Sequence, residues 1–87
     1  MDVRLTVLRN KIDHIDNKLV KLILQRLAIS HQLGVLKQEL SLPIDDPLRE
    51  QTVLNKLTNQ AEKVEDRRAL ESIYSSIFRA SKQLQRK

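Results

Sequence analysis

Eighty-seven residues, 40% hydrophobic and 31% charged, are expected to make one soluble globular domain, 1–87, with no room for a second. One glycine, two prolines and two aromatics favour an all-α chain, and the lack of cysteine excludes a disulfide framework and thiolate chemistry. The net charge of +5 favours anionic partners, but the basic residues are spread along the chain rather than gathered into a nucleic-acid patch.

The first helix is expected over residues 4–40. Leu5, Leu8, Ile12, Ile15, Leu19 and Leu22, then Ile29, Leu33, Leu36 and Leu40, recur at alternating steps of three and four, the spacing of a heptad seam. The next seam position after Leu22 holds Arg26. Such a helix is about 54 Å long at 1.5 Å per residue. A compact domain of this size has a radius of gyration of only about 12 Å. The helix therefore projects from any monomer with its seam exposed, and pairing with a second copy is the simplest remedy. An intertwined homodimer is expected. The chain start, MDVRLTVLRNKID, has no apolar h-region or small-residue cleavage site, and no run approaches 18 apolar residues. Neither a secretory signal nor a membrane span is expected, and the expected location is the cytoplasm.

SLPIDDP, residues 41–47, reads as a loop, and Asp46 before Pro47 fits an N-cap with proline at the first helical position. The second helix is expected over 48–60 with Leu54, Leu57 and Ala61 on one face, broken by a polar stretch at 62–66. The third is expected over 66–85, with an inner face of Leu70, Ile73, Tyr74 and Ile77 that turns polar at Ser81 and Gln85. The fold class is thus all-α, three helices per chain, the first very long.

An arginine in a hydrophobic seam needs a partner, because an unpaired buried charge is strongly unfavourable. Arg26 is either a structural ion pair that sets the register or part of an anion pocket. Lys37 lies eleven residues on, three full turns, so both point the same way about 16 Å apart. Two long side chains could close that gap onto a small ligand. Arg9 lies 17 residues before Arg26, about 25 Å along the axis and about 100° round it. The two cannot grip one small molecule within a chain. Across an antiparallel pair of first helices they could meet; otherwise Arg9 is a solvated surface charge. Ser81 and Gln85 stack at i, i+4, either as ligand donors or as helix-end polarity. Arg49 and Glu50 could be an ordinary first-turn pair. His14 and His31 lack acidic or thiol partners at metal-ligand spacing, so no metal site is expected, and no phosphate-loop, metalloprotease or nucleophile-elbow motif occurs.

The segments LRNKIDHIDNKLVKLILQRLAISHQLGVLK, DDPLREQTVL and IFRASKQLQ, taken in order, resemble the all-helical (AroQ-class) chorismate mutases over about residues 5–85. The resemblance implies an intertwined dimer of three-helix subunits that converts chorismate, a dianion, to prephenate without a cofactor. It implies that Arg26 binds a substrate carboxylate and that Arg9 reaches the other carboxylate from the partner subunit. Lys37 and Gln85 then flank the ether oxygen. Asp46 and Glu50 fix the substrate hydroxyl, Arg49 adjoins them, and Ser81 lies near a carboxylate. The catalytic set so implied is Lys37, Gln85 and Arg26.

Lys82 departs from the pattern, standing where an apolar residue is expected near the pocket, or else pointing to solvent. The Asp45-Asp46 pair leaves the loop register open by one residue, and Asp46 keeps the spacing to Arg49-Glu50. The domain could be free-standing or part of a fusion with prephenate dehydratase, prephenate dehydrogenase or an aldol-type synthase. Two rival functions remain: a lyase of the same fold that expels pyruvate from isochorismate, and a non-catalytic helical dimer that binds acidic partners.

Overall fold

The structure, a computed structural model, describes residues 2–86; positions 1 and 87 of the expected domain lie outside the described residues. Three helices make the fold: α1 (Val3–Glu39), α2 (Pro47–Thr58) and α3 (Val64–Gln85). No strand occurs among the described residues.

α1 starts where the Asp2 carboxylate accepts from the Arg4 N–H at 2.8 Å, an N-cap that satisfies one free donor of the first turn. It ends in a Schellman turn. Ser41 takes a left-handed φ of 56°, its N–H bonds to the Gln38 carbonyl, and the Leu42 N–H bonds to the Lys37 carbonyl at 2.8 Å. A non-glycine residue in that conformation is strained by roughly 1–2 kcal/mol. The turn folds the loop back over the end of α1, at Lys37. Asp46 caps α2 by accepting from the Arg49 N–H at 3.1 Å, and Pro47 opens the helix. α2 stops at Thr58, two residues before the expected 60. α3 starts at Val64, two before the expected 66, with Glu65 and Asp66 in its first turn complementing the helix dipole.

α3 is the common element: α1 packs on it and α2 packs on it. The α1 face turned to α3 carries Ile23, Leu27, Ser30 and Gly34. The deeply buried positions are all small: Ser30 is 6% exposed, Ser81 is 5% exposed, and Gly34 is buried as well. No apolar side chain is fully buried among the described residues. The heptad seam lies largely in the open, with Leu22 and Ile29 each 61% exposed and Leu8, Ile12 and Ile15 little less so. Arg26 keeps the seam spacing, four residues after Leu22 and three before Ile29, but is less exposed than either. It sits at the border between the open seam and the face turned to α3. Ile73, expected on the inner face of α3, is 54% exposed.

The radius of gyration is 16.5 Å and the extents are 57 × 26 × 15 Å. Those values exceed the roughly 12 Å of a compact chain this long, because α1 runs on past the other two helices. An 18-residue window of α1 has a mean hydropathy of 1.2, long and apolar enough by length and composition to cross a membrane, where none was expected. Core helices of soluble proteins meet that criterion too.

Candidate active site

A cleft of about 290 Å³ opens where α1, the loop before α2, the start of α2 and the end of α3 meet. Arg26 and Lys37 enter it from α1, Asp46 from the loop, Arg49 and Glu50 from α2, and Ser81 and Gln85 from α3. Arg9 does not line it; its side chain is exposed on the projecting part of α1. The cleft thus gathers all of the expected site residues but Arg9.

Arg26 is half-buried, and neutral groups hold it. Its Nη1 donates to Ser81 Oγ at 2.5 Å, and its guanidinium carbon stands 5.8 Å from the Phe78 ring centroid, in cation–π range. No carboxylate pairs with it among the described residues. A structural ion pair was one of the two readings of this arginine, and the described residues supply no partner for it.

Lys37 is held in the same manner. Its Nζ donates to the Ile44 carbonyl at 3.0 Å and to Gln85 Oε1 at 2.8 Å. A lysine ammonium has three N–H bonds, so one remains for a ligand. Gln85 presents its oxygen to Lys37, so its amide NH₂ is left as a donor. The Schellman turn and the Ile44 bond together fix the base and the tip of the Lys37 side chain. Gly34, one turn earlier, lets α3 come close enough for Gln85 to reach it. A Cβ on Gly34 would lie 2.4 Å from the Gln85 carbonyl oxygen.

The acidic side of the cleft is ordered differently. Asp46 uses Oδ1 to cap α2. Glu50 Oε1 lies 3.2 Å from Lys82 Nζ, so Lys82 faces the cleft rather than solvent. Asp45 turns away from the cleft toward α3, 3.7 Å from Lys82 and 3.5 Å from Arg86. Two contributors escaped the sequence analysis: the Phe78 ring and the Ile44 carbonyl. Phe78 left a signal, since it precedes Ser81 by three residues and so shares its side of α3, while Lys82, expected either near the pocket or in solvent, lines the cleft.

The arrangement offers three cations without anionic partners among the described residues, Arg26, Lys37 and Arg49, together with the free Gln85 amide and the carboxylates of Asp46 and Glu50. It suits a small ligand with two negative charges and a hydroxyl group. No cluster of potential metal ligands occurs among the described residues.

Comparison with known proteins identifies the family and the fold. A chorismate mutase from Methanocaldococcus jannaschii is 39% identical over 54 residues, 62% of this chain and 54% of that protein. The chain thus spans about half the length of that curated relative. A solved structure of a conserved hypothetical protein from Pyrococcus furiosus superposes with a TM-score of 0.82 at 34% identity, covering 98% of this chain and 99% of that one. The sequence profile of the type II chorismate mutases matches residues 8–86, and the chain belongs to that family.

Proposed function

We propose that the chain is a chorismate mutase, an isomerase that converts chorismate to prephenate on the route to phenylalanine and tyrosine. The observation that carries this reading is the pair of cations held only by neutral partners. Arg26 rests on Ser81 and Phe78, and Lys37 on Ile44 and Gln85, so both positive charges are left for a ligand.

The reaction is a concerted Claisen rearrangement, in which the ether C–O bond breaks as a C–C bond forms. No proton moves, so the protein needs no acid or base. It needs to hold the substrate folded and to stabilise the negative charge that gathers on the ether oxygen. Arg26 binds one carboxylate, with Ser81 fixing the guanidinium. The remaining Lys37 N–H and the Gln85 amide donate to the ether oxygen, and one such donor is typically worth about 10²–10³ in kcat. Asp46 and Glu50 accept from the substrate hydroxyl, and Arg49 adds positive charge beside them.

The chain works as a homodimer in this reading, and the open aliphatic seam of α1 supports it. A second copy would cover the seam and bring its own Arg9 to the far carboxylate, so each site would be shared between two chains. A cytoplasmic location goes with a soluble enzyme of amino-acid synthesis. The test is to incubate the purified chain with chorismate and identify the product. Prephenate formed in step with chorismate loss supports the proposal. Untouched chorismate, or pyruvate released from isochorismate alone, refutes it.

A further inference from the structure

Lys82 is the one cation of the cleft whose partners are carboxylates, among the described residues. Its Nζ lies 3.2 Å from Glu50 Oε1 and 3.7 Å from Asp45 Oδ1, and Arg86, one turn on, lies 3.5 Å from Asp45. The side chains of Lys82 and Glu50 are each 29% exposed, whereas that of Asp45 is 63% exposed. The inner pair is therefore the less screened by water and salt.

Glu50 poses an electrostatic problem. A carboxylate that lines a cleft for a dianion repels it, yet a ligand hydroxyl needs an acceptor there. The ammonium of Lys82 meets both demands, since it cancels the charge of Glu50 while engaging only Oε1. Within one chain Arg26, Lys37, Arg49 and Lys82 line the cleft with Asp46 and Glu50, and Lys82 is the cation set against the charge of Glu50.

We infer that Lys82 is a positioning residue that acts through Glu50. It neutralises that carboxylate and holds it against the cleft, so that a hydroxyl-bearing dianion can bind beside an acidic side chain. The inference rests on the chorismate mutase reading for its substrate and on the Lys82–Glu50 contact for its logic. Lys82 sets affinity and leaves the chemical step to Lys37 and Gln85.

The experiment is a double-substitution cycle on the full chain: wild type, Lys82→Met, Glu50→Gln, and the two combined, assayed with chorismate. Methionine keeps most of the lysine stem, so packing on α3 is largely retained. Lys82→Met is expected to raise KM about tenfold with kcat changed less than about threefold, the pattern of lost ground-state binding. In the Glu50→Gln background the same change should move KM less than about twofold, because no repulsion is left to relieve. Lys82→Arg, which keeps the charge, should hold KM within about threefold of wild type. An unchanged KM in Lys82→Met, or an equal rise in both backgrounds, overturns the inference. A tenfold rise in Lys82→Arg overturns it too, and that variant gives an answer even if the methionine variant does not fold. If the wild type consumes no chorismate, the mutase reading falls. The same chains titrated calorimetrically with malate, a dicarboxylate carrying a hydroxyl, then test the Lys82–Glu50 coupling by the same criteria.

Discussion

Replacing Gly34 with alanine tests how the site is assembled, because it removes no proposed ligand group. A Cβ there would stand 2.4 Å from the Gln85 carbonyl oxygen, 2.5 Å from its Cα and 2.8 Å from its carbonyl carbon. These are backbone atoms, which no rotamer change can move. Reaching an ordinary contact of 3.4 Å requires the end of α3 to retreat by about 1 Å. The 2.8 Å bond from Lys37 Nζ to Gln85 Oε1 would stretch past hydrogen-bond range. Alanine favours the helix over glycine by about 1 kcal/mol, while overpacking of this kind costs about 1–3 kcal/mol. The net stability loss is then at most about 2 kcal/mol, and the variant should fold. A displacement of about 1 Å at a reacting centre can cost about a hundredfold in rate. Gly34→Ala should thus lower kcat about a hundredfold and Tm by several degrees, measured by chorismate turnover and thermal unfolding. A folded variant with wild-type kcat would refute the claim that Gln85 must reach Lys37.

The shared-site reading predicts complementation. Arg9→Ala and Arg26→Ala chains should each be nearly inactive alone, but unfolding and refolding them together in equal amounts should restore about a quarter of wild-type activity. Half of the dimers would be mixed, and each would hold one intact site; a mixture no more active than its parts would refute the shared site. At the start of α1, the side chain and then the backbone N–H of Arg4 hold the Asp2 carboxyl below its usual 3.8. The support it gives the first turn is therefore present above that value and is lost as the pH falls through the lowered folded value. The protection factors of first-turn amides, which remove the intrinsic pH dependence of exchange, should fall on acidification and become insensitive to pH in Asp2→Asn, whereas an unchanged pH response of protection in that variant would contradict the assignment.

Much of the fold was legible because its signals are local. The loop SLPIDDP, the Asp46-Pro47 start of α2 and the long proline-free run of α1 all mark boundaries that lie within two residues of those observed. The packing face of α1 was not legible from periodicity. Heptad counting follows large aliphatic residues, and those form the open seam. The face that meets α3 is built around Ser30 and Gly34 against Ser81, small residues that carry no hydrophobic signal but allow close approach. Arg26 keeps the seam spacing, and its guanidinium turns to α3, where it meets Ser81. Within the cleft, the three-turn spacing of Arg26 and Lys37 could be read from helical geometry. The partners that steer them could not. The Ile44 carbonyl depends on how the Schellman turn reverses the chain, and the Lys82–Glu50 pair depends on how α2 lies across α3.

Turnover of chorismate by Lys37→Ala beside wild type, with sedimentation of both, probes the proposed chemistry most directly. The lysine ammonium is held by two neutral acceptors and has one N–H left for the ether oxygen. The account predicts that kcat falls by two or more orders of magnitude, to about 1% of wild type or less, while the assembly state is unchanged. A variant that assembles normally and still turns over chorismate within a few-fold of wild type would contradict it.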